Sequence, residues 1–379
     1  MMRNVLAVLA LAIATRVAAA QTYDFPTPLY DQWQYPFNFS PGSRPVATCF
    51  SSLGTGNPTF QAFNDRDGQL IVAWNTGAQI PTGLGAANYD IESVTVTLTN
   101  ASGARWEIDL SPDEFFTYDF NQDGAVNADG IPRGQPGDLD GESDDADPGR
   151  PIELFGTGFG PTYSYPGWTE FSSYRGGTVL GGTPVAAPRD PFPFVYQDGT
   201  GTPLHVEDNV EGAWNGAAGV TRFTPQPWAT GTPIAYDPND QDIPFEVVFD
   251  VNIGLSDGRV LSYFQNQLHS GRVFVSVTSL TDTEQFGDSS FIPKFFTKEG
   301  TSEEPGAAAP KLTIVLAPPG LDGDLDGDGC VGLSDLSQLL THFGVTSGAS
   351  PEDGDLDGDG DVDLADLSGL LENFGLGEC

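Results

Sequence analysis

Two segments near the C-terminal end of the chain place aspartates at alternate positions, a spacing that suits calcium. Ca²⁺ prefers oxygen ligands, and a twelve-residue calcium loop supplies them from positions 1, 3, 5, 7, 9 and 12 around a glycine at position 6. Both segments have that glycine, as Gly329 and Gly360. The ligands expected in the first loop are Asp324, Asp326, Asp328, the main-chain carbonyl of Cys330, and Asp335. Those expected in the second loop are Asp355, Asp357, Asp359, the main-chain carbonyl of Asp361, Asp363 and Asp366.

The second loop offers one more side-chain carboxylate than the first, because Asp363 stands where the first loop has Gly332. We therefore expect two calcium ions in this region and tighter binding at the second loop. Position 8 is a valine in both loops, Val331 and Val362, and these side chains are expected to turn inward.

A short helix is predicted after each loop. Leucine and phenylalanine recur at helical spacing and are followed by a glycine that can end the helix. No helix is expected before either loop, because proline and glycine interrupt the chain there. Each unit is thus one loop and one helix, and the simplest packing buries the two apolar stripes against each other. The stripes are Leu336, Leu339, Leu340 and Phe343, before Gly344, and Leu367, Leu370, Leu371 and Phe374, before Gly375.

This repeat resembles the type I dockerin module, a calcium-dependent docking tag with EF-hand-like loops, and the dockerin-like tails of secreted planctomycete proteins. The resemblance covers about residues 323–375 and implies docking to a cohesin-like extracellular protein through positions 10 and 11 of each loop. Those positions are Leu333, Ser334, Leu364 and Ala365. The chain departs from the usual cohesin-binding pattern, because residues 321–379 contain no lysine or arginine. The alternative interpretation is an acidic, disordered tail.

Composition indicates an exported, calcium-rich environment. The formal net charge is −38, which argues against nucleic acid or an anionic membrane as a partner. Residues 1–20 have the pattern of a secretory signal peptide, and no later apolar run is long enough to span a membrane. Of the three cysteines, Cys330 and Cys379 bracket the tail and could form a disulfide, although pairing with Cys49 stays open.

Residues 21–317 are predicted to be a mainly β body, followed by a linker at 318–322 and the calcium module at 323–379. Short apolar or alternating runs separated by turn residues favour an antiparallel, jelly-roll-like β-sandwich, with a helix only at Ser262–Ser270. The predicted strands include Gln69–Trp74, Ile91–Thr99, Trp106–Leu110, Phe245–Ile253, Arg272–Ser279 and Lys311–Leu316. The end of the body resembles DNRLRE-type modules at Phe295–Gly300 and Pro310–Val315, and this implies a carbohydrate-binding β-sandwich.

An acidic insertion at about 113–150 contains a further, incomplete calcium loop. Its position 12 is Gly130, so acids that follow must complete the ligand set. One or two more calcium ions are expected here, and an acidic loop without metal is the alternative. The candidate ligands are Asp119, Asn121, Asp123, Asp138 and Asp140.

The sequence contains none of the usual catalytic motifs, and we expect a non-catalytic protein. His205, His269 and His342 do not form a zinc motif, and no nucleophile elbow or phosphate loop is present. The main expectation is a secreted calcium-binding protein whose tail docks a β-sandwich to an extracellular or cell-surface partner. The alternatives are a polysaccharide-degrading hydrolase that carries a docking tag, with an unassigned carboxylate pair, and a structural matrix protein. A sugar-binding platform could be formed by Trp33, Tyr35, Trp168, Tyr174, Trp214 and Trp228.

Overall fold

The architecture is known from a computed structural model. It describes residues 20–34, 44–53, 66, 68–101, 109–111, 150–160, 162–173, 190–196, 201–206, 225–237, 243–284, 292–317 and 323–376. All but the last residue of the predicted signal peptide, the linker and most of the acidic insertion lie outside these residues. The chain divides into two compact units, a body at Thr22–Val315 and a C-terminal unit that begins at Leu316.

The described residues are mainly β. The first eight strands are β1 (Gln21–Phe25), β2 (Tyr30–Gln34), β3 (Val46–Thr48), β4 (Ser51–Leu53), β5 (Gln69–Trp74), β6 (Ile91–Asn100), β7 (Ile152–Gly158) and β8 (Phe192–Val195). The others are β9 (Leu204–His205), β10 (Ala229–Thr230), β11 (Thr232–Ile234), β12 (Phe245–Asp250), β13 (Val273–Ser279), β14 (Asp282–Glu284), β15 (Lys294–Phe296) and β16 (Lys311–Leu316). The α-helices are α1 (Leu255–Ser270), α2 (Leu333–His342) and α3 (Leu364–Asn373).

Two antiparallel sheets of seven strands contain most of the body. The first sheet has the order β1-β16-β6-β12-β11, and β15 joins β3 to β6 beside it. The second sheet has the order β2-β5-β13-β7-β8-β9, with β10 paired to β7. β4 and β14 form a separate parallel pair.

The two sheets differ in how many faces they bury. Along β12, buried residues such as Val247 and Phe249 alternate with exposed ones, so one face of the first sheet reaches solvent. Every residue of β5 and β13 is buried, so the second sheet is covered on both faces. One cover is Trp168, whose indole packs against Ile71, Ala73 and Phe274.

A close approach at the second sheet requires glycine. A Cβ on Gly156 would lie 2.3 Å from the ring of Trp228, so no other residue fits under that indole. The ring of Trp228 is in turn surrounded by the rings of Phe194, Tyr263 and Phe264, two of them from α1.

The helix α1 is longer than the apolar spacing predicts. Its span begins at Leu255 instead of Ser262, but the backbone at Ser256, Asp257 and Gly258 is left-handed, so the regular α-helix starts only after Gly258. The helical spacing of buried residues starts only at Val260, so the sequence pattern could not indicate the earlier start. No helix among the described residues is both long and apolar enough to cross a membrane.

Candidate metal centre in the C-terminal unit

Both predicted loops are curled around their first aspartate. In the first loop, Asp324 accepts hydrogen bonds from the main-chain N–H groups of Gly327 and Gly329, both at 2.9 Å. Asp355 does the same in the second loop, at 2.8 and 2.9 Å. The glycines at position 6 are left-handed, with φ of 85° at Gly329 and 87° at Gly360, which is why glycine is needed there.

The aspartate at position 12 of each loop ties the loop to the helix that follows. Asp335 is fully buried; its Oδ1 accepts from Leu325 N at 2.7 Å, and its Oδ2 accepts from Gly332 N at 2.7 Å. Asp366 repeats these contacts in the second loop. Burial alone would raise the pKa of both carboxyls, but the main-chain N–H donors outweigh it and hold each pKa below its ordinary value. Both groups therefore stay ionised at neutral pH.

The predicted side-chain ligands converge into one group in the first loop and are divided between two groups in the second. Asp324, Asp326, Asp328 and Asp335 form one group in which one oxygen from each lies within 4.8 Å of the others. The second loop forms two such groups. They contain Asp355, Asp357 and Asp359, and Asp361, Asp363 and Asp366.

This concentration of carboxylates leaves charge that a cation would neutralise. Desolvation, together with the charge of Asp326, raises the pKa of Asp328, and desolvation with the charge of Asp359 raises that of Asp361. Oδ1 of Asp361 is buried without a hydrogen-bond partner among the described residues. All donors are oxygens, so the group that fits is a hard divalent cation such as Ca²⁺ or Mg²⁺.

The loops and helices share a small apolar core. Its centre is four side chains that are fully buried: Val331, Leu339, Val362 and Leu370. The inward orientation expected of the two valines is confirmed by their burial.

The expected burial of the whole leucine–phenylalanine stripes is wrong. Leu336 and Leu367 are only partly buried. Each ten-residue helix buries only one leucine of its stripe fully, Leu339 in α2 and Leu370 in α3. The exposed members are Leu340 and Leu371 at 52% each, Phe343 at 43% and Phe374 at 42%.

The two loop–helix units interlock. Val331 of the first loop pairs through its main chain with Leu376 and Gly375, which follow α3. Val362 of the second loop pairs in the same way with Val345 and Gly344, which follow α2. Each loop is therefore stabilised by the other unit's helix end.

Glycines that precede the first aspartate of each loop complete this interlock. A Cβ on Gly323 would lie 3.2 Å from the Leu370 Cα, and a Cβ on Gly354 would lie 3.2 Å from the Leu339 Cα. Both glycines are also left-handed, with φ of 100° and 107°. Sequence reasoning missed their role, although a glycine at the same place in both copies was a usable signal.

The four predicted docking residues are exposed. They are Leu333, at 77% exposure, Leu364, at 71%, Ser334 and Ala365. They stand at the start of α2 and α3, beside the loops.

The cysteines divide into one free thiol and at least one disulfide-bonded residue. Cys49 is free and buried in the body, and burial raises its pKa far above the ordinary range of a thiol. Cys330 is disulfide-bonded. Cys379, the partner predicted for it, lies outside the described residues. The candidate ligands of the acidic insertion, Asp119, Asn121, Asp123, Asp138 and Asp140, also lie outside them.

The proposed aromatic platform is not supported by the tryptophans that can be placed. Trp168 and Trp228 are buried, so their faces cannot stack on a sugar. The ring of Trp33 lies under the Arg44 guanidinium and its Nε1 donates to the Thr48 carbonyl. Tyr35, Tyr174 and Trp214 lie outside the described residues.

One acidic cluster in the body was not predicted. Asp31, Glu170 and Glu299 bring carboxylate oxygens within 4.8 Å of one another. Glu170 is 9% exposed and paired with Lys298. The three acids are far apart in the sequence, so no local pattern could have identified them.

Comparison with known proteins gives no relative: no family model, characterised protein or solved structure matches the chain.

Proposed function

We propose that the chain is an exported calcium-binding protein whose C-terminal unit docks a β-rich body to an extracellular protein partner. The observation that carries the proposal is the repetition of two features together. Each copy has converging loop carboxylates, and each presents an exposed leucine directly after the loop, Leu333 or Leu364.

Two calcium ions would hold the C-terminal unit in its folded form. The side chains that would bind the first are Asp324, Asp326, Asp328 and Asp335, with the Cys330 carbonyl; those for the second are Asp355, Asp357, Asp359, Asp363 and Asp366, with the Asp361 carbonyl. Calcium supplies the positive charge that the clustered carboxylates lack. Because the loops bind only when curled, the binding free energy becomes folding free energy.

We propose that the partner is a protein bound through the exposed apolar side chains of α2 and α3. Exposed apolar patches mark interaction sites, and each helix leaves one leucine and one phenylalanine uncovered beyond the four docking residues. An acidic unit without lysine or arginine would be repelled by anionic lipid or nucleic acid. The resemblance to dockerins favours a cohesin-like partner.

For the body we propose a jelly-roll-like β-sandwich that is the cargo of the docking unit. The chain passes repeatedly between the two sheets, from β5 in the second sheet to β6 in the first and back to β7. Such crossings are typical of sandwiches with Greek-key connections. A polysaccharide is the ligand class that the DNRLRE-like end implies.

Calcium titration of the full chain tests the metal sites. Asp355→Ala removes the carboxylate that accepts from Gly358 and Gly360, so we expect the second loop's calcium affinity to fall about tenfold or more. Asp324→Ala is the matched change in the first loop. Calorimetry should show one high-affinity site lost in each variant. Calcium titrations of both variants that match the titration of the parent would refute calcium binding at these loops.

Docking is tested by retention experiments with the full chain in calcium and in chelator. A purified cohesin domain is the first probe, since the resemblance names that class. We expect retention only in calcium, and its loss on changing Leu333 and Leu364 together to Ser. Retention that is unaffected by chelator and by the double variant would refute docking through this unit.

A further inference from the structure

The three carboxylates of the unpredicted cluster meet at the edge of the second sheet. Asp31 lies on β2, the edge strand; Glu170 follows Trp168 in the segment that covers the sheet; and Glu299 lies in the turn Lys298–Gly300. Gln32 fixes this arrangement, since its Nε2 donates to the carbonyls of Glu170, at 2.6 Å, and Ser172, at 2.9 Å.

Two oxygens of this cluster are buried without a hydrogen-bond partner among the described residues: Oδ1 of Asp31 and Oε2 of Glu299. The side chain of Asp31 is fully buried, and only its Oδ2 is satisfied, by the main-chain N–H of Lys298 at 2.6 Å. An unsatisfied buried carboxylate oxygen is costly, and buried charges in proteins are normally paired or bound to metal.

The cation now among these carboxylates is the ammonium group of Lys298. Its Nζ bonds Glu170 Oε2 and the Leu29 carbonyl, the latter at 2.9 Å, and lies 3.8 Å from Asp31 Oδ1 and 3.9 Å from Glu299 Oε1. Four oxygens thus surround one positive charge. When all three carboxyls are ionised, their charge exceeds that of the one ammonium by two.

We propose that this cluster is a binding site for a hard divalent cation such as Ca²⁺, which replaces the Lys298 ammonium between Asp31, Glu170 and Glu299. A divalent cation would balance the excess charge and supply a partner for both unsatisfied oxygens. The donors are carboxylate and carbonyl oxygens only, the set that Ca²⁺ and Mg²⁺ prefer over the softer transition metals. The ion would join β2, the covering segment and the turn before β16.

The cluster is open to solvent on one side, where the ion can enter and the Lys298 ammonium group can leave. The side chains of Lys298 and Glu299 are 19% and 27% exposed, so the cluster opens to solvent on their side while Asp31 closes the other. The flexible stem of lysine lets its ammonium group move into that solvent when the ion enters.

Terbium luminescence of the full chain tests the proposal. Tb³⁺ replaces Ca²⁺ at oxygen sites and emits when it is close to an excited tryptophan, and Trp168 lies two residues from Glu170. Residues 321–379 contain no tryptophan. We expect Tb³⁺ emission that Ca²⁺ competes away, with an apparent affinity about tenfold lower in Asp31→Asn and in Glu170→Gln.

A variant of Lys298 should change the affinity of the site for the ion in the opposite direction. A purely structural ion pair would not produce that increase. Lys298→Met removes the competing ammonium, so the affinity of this site should rise about tenfold or more. Its thermal midpoint should fall in chelator and recover in calcium. Lys311→Met is the control, because Lys311 pairs with Asp24 elsewhere on the body and should change neither reading.

Two results would overturn the site. The first is Tb³⁺ emission with the same affinity in the parent and in Glu170→Gln. Because that substitution keeps the size of the side chain, it tests the site even if Asp31→Asn fails to fold. The second is a Lys298→Met chain that is destabilised and gains no more from calcium than the parent does.

Discussion

At the residue scale, the pKa values of Asp31, Asp335 and Asp366 differ because burial raises each of them and main-chain N–H donors offset that effect at two of the three. Asp335 and Asp366 each accept from three main-chain N–H groups, and their pKa values are held low. Asp31 accepts from one, at Lys298. Burial therefore dominates at Asp31, and its pKa is raised to about 7.

This difference predicts a pH dependence of stability in calcium-free solution. Because the folded pKa of Asp31 exceeds the unfolded one, the folded chain binds a proton that the unfolded chain has already released at intermediate pH. Its stabilising effect is complete below about pH 4 and is lost as the pH rises through about 7. Asp31→Asn should remove on the order of 4 kcal/mol from that decline, since a pKa shift of about three units is worth roughly 1.4 kcal/mol per unit.

Urea unfolding in chelator at a series of pH values measures the effect. Asp24→Asn is the control, because the pKa of Asp24 is lowered by its hydrogen bond to Lys311 and the carboxyl is mostly exposed. A parent and an Asp31→Asn variant with parallel pH profiles would contradict the assignment.

At the scale of elements, local periodicity predicts where strands and helices lie better than it predicts what covers them. The bounds of β5 and β16 agree with the predicted segments, since short apolar runs between turn residues identify a buried strand. The apolar stripe of α2 is equally clear in the sequence, but the spacing of its residues predicts only which of them share one face of the helix. Leu339 is fully buried and Leu340, at the next position, is 52% exposed, because that choice depends on the second copy of the repeat.

We therefore expect substitutions of two neighbouring leucines on α2 to affect different properties, stability in one case and partner binding in the other. Leu339→Ala should destabilise the C-terminal unit by about 2–5 kcal/mol, because it opens a cavity among Val331, Val362 and Leu370. Leu340→Ala should change stability by about 0.5 kcal/mol or less and weaken partner binding instead. Calcium-dependent unfolding and retention on the partner separate the two effects. Equal losses of stability would mean that the exposed half of the stripe is covered within the chain.

At the scale of the whole molecule, the sequence predicts the sites whose residues lie close together along the chain. Each of the two aspartate-rich loops brings its carboxylates together within twelve residues, so the spacing alone could predict that they lie close to one another. The cluster of Asp31, Glu170 and Glu299 is assembled by the packing of β2, the segment after Trp168 and the turn before β16. Only the three-dimensional structure brings these residues together. The same holds for the interlock of the two loops, which joins Val331 to a turn more than forty residues further along the chain.

The net charge of −38 gives a last prediction for the intact chain. Without divalent ions, repulsion among the acidic loops opposes the folded state, and salt should reduce it because the Debye length falls from about 10 Å at 0.1 M to about 3 Å at 1 M. Thermal midpoints in chelator should therefore rise as sodium chloride is added. In saturating calcium the loop charges are already neutralised, so the same salt should raise the midpoint much less. Equal salt effects with and without calcium would show that the ion does not neutralise the loops, and the folding role proposed for it would fail.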